Sequence, residues 1–324
     1  MRLNPLFATA AATVLVLLAA TAPALADTRS LTDDAGRSVA VPARPARIVV
    51  MHEPLLGLPL MDLGVEVVGS YGRGEDGRFV TAIDFVDLVL GAGRSKPRGF
   101  GPVGQIDLER LRALNPDLIV GTELDVDKAP QLATVAPVYL QKVSTGKIRG
   151  FGVERELARV VGREDAFTVR ETAYRERVAA VRGALPSDPA GKSYLAIFLT
   201  DQVNVVGDMS GAVQALEDLG YRRMAVDQKS AGAALGSTLM VPLSPELLGR
   251  ANPDLLVVMN SYTGGGRDEA GTRTALDRIV PGWSRFLKPA REGRILFLDS
   301  AEVTTPTVAS ALHTLDAVER QAKR

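Results

Sequence analysis

The chain contains no cysteine among its 324 residues. No disulfide, thiol nucleophile or cysteine-ligated cluster is available to it, so the fold must rest on its hydrophobic cores. Histidine is almost as scarce. His52 and His313 are the only two, whereas direct capture of bare zinc or manganese normally takes several histidines with carboxylates. Neither a metal site nor a cofactor is therefore expected. Aromatics are 5% of the residues and tryptophan occurs once, which argues against a large aromatic cradle. Charge of one sign is missing too, with 38 basic residues facing 38 acidic ones. Without a basic excess there is no footprint for nucleic acid or a membrane surface. Two catalytic signatures are absent, the G-x-S-x-G nucleophile elbow and the G-x-x-x-x-G-K-[ST] phosphate loop. Gly264-Gly265-Gly266 runs into Arg267-Asp268 rather than Lys-Ser. A carboxylate-dependent exported hydrolase remains as the alternative of a different class.

Long apolar runs are also lacking, with one exception. ATAAATVLVLLAA follows Arg2 and leads to the small-residue site Ala24-Leu25-Ala26. This pattern predicts a secretory signal peptide over residues 1–26, because the run is short for a membrane span. Taking Arg2 from the 38 basic residues leaves 37 against 38 acidic ones in the chain from Asp27. With no cysteine to carry a lipid, a soluble monomer in the periplasm is expected.

What the sequence does have is a phrase written twice. LERLRALNPDLIV, residues 108–120, returns as PELLGRANPDLLV at 245–257. Each copy reads as a short helix and a strand. Asp107 and Ser244 are N-cap residues, and Pro245 sits where a missing N–H costs nothing. Asn115 and Asn252 are placed to end the helices in the left-handed conformation before a proline. Leu118-Ile119-Val120 and Leu255 to Val258 lack alternation, which predicts strands buried on both faces.

Other elements follow the same alternation. Asp34-Ala35-Gly36-Arg37 predicts a hairpin turn, and Arg47 to Met51 the first buried strand. Val65 to Val68, Pro137 to Leu140, Tyr194 to Leu199, Val203 to Val206 and Ile295 to Leu298 complete the predicted strands. A helix is expected over Ala212 to Leu219 and another over Val308 to Lys323. Between Phe151 and Leu185 no strand is predicted. Leu157, Val160, Val161, Phe167, Ala173, Tyr174 and Val178 recur there at helical spacing, broken near Gly162. The predicted fold class is α/β: two lobes, each with a central, mainly parallel sheet flanked by helices, joined by a long connector helix. The expected organisation is an N-terminal lobe over 27–147, a helical connector over 148–186 and a C-terminal lobe over 187–324.

On the opening ARIVVM, the phrase IDLERLRALNPDLIVG, the connector ELARVVGREDAF and the tail PGWSRFLKPAREGRILFLD, the chain resembles a known family. It is similar to the helical-backbone class of substrate-binding proteins of ABC importers for ferric siderophores, cobalamin and haem. The resemblance covers the whole chain after residue 26 and implies capture of a ferric siderophore between the lobes. Cobalamin and haem are the alternatives within the fold. It also implies delivery to a membrane permease dimer, with Glu109 and Glu246 docking against permease arginines. Each glutamate also sits at the second position of a helix, where the macrodipole favours a carboxylate by roughly 0.3–1 kcal/mol. A helix-end role alone therefore accounts for them equally well.

Ligand residues are expected in loops beyond the carboxyl ends of the strands. A ferric siderophore is a bulky chelate, often anionic, with an apolar rim, and it suits arginine forks and aromatic faces. Tyr71, Arg73, Arg98 and Tyr262 are the leading candidates, with His52, Glu123, Thr200 and Asn260 beside them. His313 and Trp283 are expected to be structural, and Arg267 and Arg273 to belong to a mobile surface segment. The stiff connector predicts only a small hinge movement between the lobes.

Overall fold

The computed structural model describes residues 27–323 except 75, 80–82, 103, 144–147, 225–239 and 263–265. The expected signal peptide over 1–26, and Gly264 and Gly265, lie outside the described residues.

The chain opens with an antiparallel hairpin, β1 (Thr28–Thr32) and β2 (Ser38–Pro42). Its turn is closed by Asp33, whose carboxylate accepts from the N–H groups of Ala35 and Arg37, while Gly36 takes a φ of 77°. Five parallel strands then form the first sheet: β3 (Ile48–Val50), β4 (Val67–Ser70), β5 (Arg98–Gly99), β6 (Leu118–Thr122) and β7 (Val138–Gln141). Their spatial order is β5-β4-β3-β6-β7. Every residue of β6 is buried, as the absence of alternation predicts for a strand covered on both faces.

The second sheet is mixed. It contains β8 (Ser193–Leu199), β9 (Val203–Val206), β10 (Arg222–Arg223), β11 (Met240–Pro242), β12 (Leu255–Met259) and β13 (Ile295–Leu298). β12 runs parallel to β8 and β13, but β9 pairs antiparallel with β8 and with β11. Thr200-Asp201-Gln202 is therefore the turn of a β8–β9 hairpin. Trp283 is buried in this lobe's core against Phe297, with ring centroids 6.2 Å apart. His313 reaches back to the first lobe, where Nε2 lies 3.0 Å from the Val89 carbonyl oxygen.

A short helix, Gly152–Val161, and a long one, Glu164–Ala184, join the lobes. Gly162 separates them with a φ of 67°, a left-handed backbone that suits glycine. The long helix has 21 residues, about 31 Å at 1.5 Å per residue. It buries only Phe167, Tyr174 and Val181, one residue every seven, so it lies on the core along a narrow seam. Ala173 is exposed, contrary to the periodicity reading, and Val181 takes the buried place. The middle of the helix is latched to both lobes. Arg170 pairs with Asp62 of the first lobe, the Tyr174 hydroxyl donates to Asp218 of the second at 2.8 Å, and Arg177 bonds Asp316 at 2.7 Å and Glu319 at 2.5 Å.

The repeated phrase differs between its copies at the helix end. Asn115 has a φ of 46°, as expected. Asn252 does not adopt that conformation. The helix Pro245–Arg250 instead ends at Ala251 in extended backbone, one residue earlier in the phrase.

Candidate ligand-binding site

A cavity of about 520 Å³ opens between the lobes, within the size range of small-molecule sites. Its first-lobe wall comes from the loops after β3, β4 and β6: Met51 to Leu55, Tyr71 and Gly72, Phe79, Phe85, and Thr122 to Lys128 in part. The second lobe supplies Phe198, Val206, Met209, Ser210, Met240, Tyr262, Thr304 and Thr305. The wall is thus mostly apolar, led by aromatic rings and methionine, with a few polar groups to orient a ligand.

Four rings form a continuous row from one lobe to the other. Phe79 meets Phe85 with centroids 6.2 Å apart, Phe85 meets Tyr262 at 5.3 Å, and Tyr262 meets Phe198 at 4.8 Å. The first two contacts are edge-to-face, an arrangement ring quadrupoles prefer, and the third is tilted. Tyr71 adds a fifth ring, stacked on Phe100 at 5.8 Å. A chain with nine Phe, six Tyr and one Trp so spends five of its aromatics on one wall, and a low aromatic average concealed the cradle. Burial pushes the Tyr262 phenol up to about 12. Its hydroxyl stays protonated at neutral pH and bonds the Thr304 hydroxyl.

His52 lies in the wall and caps the turn Glu53–Gly57, its Nδ1 accepting the Leu55 N–H at 3.3 Å. Burial lowers its pKa to about 4, so the ring is neutral and carries its proton on Nε2. That nitrogen is a donor rather than a free lone pair.

The other expected residues fall elsewhere. Arg73 does not line the cavity. Its guanidinium is fully buried and spent on a bidentate pair with Glu53, both contacts 2.6 Å, with Asp84 at 3.3 Å and the Gly77 carbonyl at 2.6 Å. From there it sits 5.6 Å from the Phe79 ring centroid, so it holds the wall from behind. Gly99 makes this loop possible: a Cβ there would lie 2.0 Å from the Arg73 carbonyl oxygen. Arg98, on edge strand β5, is exposed and away from the wall. Glu123 faces the next strand's exit, accepting the Val143 N–H at 2.9 Å. Thr200 closes its hairpin with Asp201 and Asn204. Asn260 is buried and accepts the Ser300 N–H at 2.7 Å. Arg267 pairs with Asp299, and Arg273 lies on the helix Glu269–Ile279 with its guanidinium 4.4 Å from the Phe297 centroid. Neither arginine belongs to a free loop.

Lys128 was missed from the sequence. It lies just beyond Glu123–Asp125, a single 3-10 turn after β6, with its amine 2.7 Å from Asp125 and 5.8 Å from the Tyr71 centroid. The available signal was its position, since the loop after β6 was already a candidate. Phe79, Phe85 and Phe198 had no comparable signal, because an isolated phenylalanine reads as core.

Glu109 and Glu246 are both exposed at the second position of their six-residue helices, Leu108–Ala113 and Pro245–Arg250. The backbone N–H of Glu246 and the Ser244 hydroxyl hold the Glu246 carboxyl below its ordinary range.

Solved structures share this architecture. The chain is similar to Staphylococcus aureus SirA complexed with staphyloferrin B, with a TM-score of 0.68 and 19% identity over 91% of this chain and 99% of that one. It is similar to the petrobactin-binding protein YclQ of Bacillus subtilis, with a TM-score of 0.65 and 17% identity over 92% and 99%. It is also similar to the periplasmic catecholate-siderophore binding protein VctP of Vibrio cholerae, at 0.63 and 16% over 91% and 100%. At these identities the likeness establishes the fold. No curated protein sequence matches the chain. Among the described residues no helix is long and apolar enough to cross a membrane. A family model described as "Periplasmic binding protein" matches residues 79–302, more than half of the sequence, and the chain belongs to that family.

Proposed function

We propose that the protein is the periplasmic substrate-binding component of an ABC importer, capturing a ferric siderophore between its lobes and handing it to a permease dimer. The observation that carries this reading is the cavity wall, because its aromatic row draws on both lobes and neither lobe forms it alone. A bulky chelate with an apolar rim fills such a site through ring contacts and a few oriented polar groups. The structural neighbours support it, since their names specify staphyloferrin B, petrobactin and a catecholate siderophore. In this reading residues 1–26 are the export signal, the lobes divide at 147 and 187, and Glu109 and Glu246 are the docking acids. The latched connector helix restricts the lobes to a small hinge movement.

Haem fits less well. An axial histidine must offer a nitrogen lone pair, whereas His52 uses Nδ1 to cap a turn and keeps its proton on Nε2. Catalysis has no comparable support, and the function proposed is binding and transfer.

Calorimetric titration against ferric siderophores, haemin and cobalamin tests the reading. Saturable binding of at least one ferric siderophore is expected, weakened at least about tenfold by Tyr262→Ala through lost ring contact. Binding of haemin or cobalamin alone overturns it.

A further inference from the structure

The charges around the cavity cancel, and that cancellation is built in. Among the described lining residues two are carboxylates, and each is paired with a cation. Glu53 is held by the fully buried Arg73. Asp125, 7% exposed, is held by Lys128, whose side chain is 39% exposed. The remaining titratable groups, His52, Tyr71 and Tyr262, are neutral or phenolic, and burial keeps the His52 ring uncharged near pH 7. Among the described lining residues Lys128 is the one cation, and Asp125 has already neutralised it. The rest of the described wall is aromatic, aliphatic, methionine and hydroxyl side chains and Gly72.

Such a wall discriminates by charge. An anionic ligand entering it gives up hydration and gains no unpaired cation in return, an uncompensated desolvation. A neutral complex loses little and keeps the full aromatic contact. Iron(III) held by three monoanionic hydroxamate arms is neutral, whereas iron(III) held by three dianionic catecholate arms keeps three negative charges. Resting on the siderophore reading above, we infer that the chelate this cavity selects carries a net charge near zero, as a ferric tris-hydroxamate does. The Asp125–Lys128 pair is then the specificity element. Its carboxylate cancels the amine that would otherwise attract an anionic chelate.

The test is equilibrium binding of ferrichrome, a neutral tris-hydroxamate, and of ferric enterobactin, a trianionic tris-catecholate. Both are measured on the full chain and on Asp125→Asn and Lys128→Gln. The wild type is expected to prefer ferrichrome by about a hundredfold or more. Asp125→Asn frees the amine and should narrow that preference about fivefold, while Lys128→Gln leaves the carboxylate unopposed and should widen it. Asparagine can still accept from Thr122, whose N–H and hydroxyl Asp125 accepts at 3.0 and 3.1 Å. Should Asp125→Asn nevertheless misfold, the exposed Lys128→Gln carries the test. Equal or tighter binding of ferric enterobactin by the wild type overturns the inference and leaves the siderophore reading standing. So does a preference that neither variant moves. Binding of neither complex, with haemin or cobalamin bound instead, removes both.

Discussion

In the first lobe the carboxylate of Asp117 accepts the N–H groups of Ala46 and Arg47, at 2.7 and 3.0 Å, just before β3 begins. In the second, Asp254 accepts the N–H and hydroxyl of Ser193, at 2.7 and 2.8 Å, where β8 begins. An arginine backs each joint: Arg47 donates to the Leu114 and Asn115 carbonyls, and Arg294 to the Pro253 carbonyl and the Asn252 side chain. The repeated Asn-Pro-Asp is thus a device that pins the neighbouring strand's start to the turn after a helix. The two joints differ in detail. The first lobe ends its helix through left-handed Asn115, the second through extended Ala251, and only the first sheet is wholly parallel. What the copies share beyond the joint is an exposed glutamate at the second helical position.

The comparison can be broken most severely at those glutamates. Glu109→Ala combined with Glu246→Ala is expected to reduce siderophore-dependent iron uptake in cells at least about tenfold. Calorimetric affinity of the purified variant should stay unchanged. Normal uptake would make both acids helix-end residues and nothing more.

A smaller effect separates the lobes' arginines. Arg73→Ala strips the cation from buried Glu53 and leaves partly exposed Asp84 to Lys96, and should cost about 3–5 kcal/mol in urea unfolding. Arg267→Ala, which opens the partly exposed pair with Asp299, should cost under about 1 kcal/mol. Equal losses would show that burial does not rank these pairs.

Smaller still are the joints themselves. Asp117→Ala loses two backbone hydrogen bonds to a charged acceptor and is expected to cost about 2 kcal/mol. Asp254 is exposed, and Asp254→Ala should cost about 1 kcal/mol. The Ser193 N–H and hydroxyl lower the Asp254 pKa, so its contribution is present above the unfolded carboxyl pKa and fades as pH falls through the lower folded value.

The least of the expected effects concerns the seam between lobes. Burial, and then the nearby Asp62 carboxylate, raise the Glu154 carboxyl well above its ordinary range. Glu154 accepts the Val308 N–H at 2.7 Å, and Asp62 accepts that of Ala309 at 3.1 Å, while Arg170 pairs with Asp62. A raised carboxyl pKa stabilises the fold below the unfolded value and loses that contribution as pH rises through the folded one. Thermal melts of Glu154→Gln should therefore fall less than wild type between pH 5 and pH 8. Superimposable profiles would count against a raised Glu154 carboxyl in this seam.

The lobes, connector and N-caps were legible because their signals are local. Asp107 and Ser244 cap their helices as read, and Gly162 breaks the connector where a left-handed residue is needed. The cavity was only partly legible. Tyr71, Tyr262 and His52 lie on its wall, but Arg73 does not, because its fate depends on Glu53, twenty residues earlier, and Asp84, eleven later. A loop arginine reads alike whether it faces a ligand or two carboxylates. Thr200 was misplaced for a topological reason: β9 returns antiparallel, so the segment is a hairpin turn and not a crossover loop. The aromatic row is assembled from Phe79, Phe85, Phe198 and Tyr262 across both lobes, and no local window contains that pattern.

An anomalous-scattering map from crystals grown with ferrichrome tests the interlobe site most directly. The account predicts a single iron peak inside the cavity, between Tyr71 on one lobe and Tyr262 on the other. Iron bound on an outer face, with those two tyrosines untouched, would contradict it.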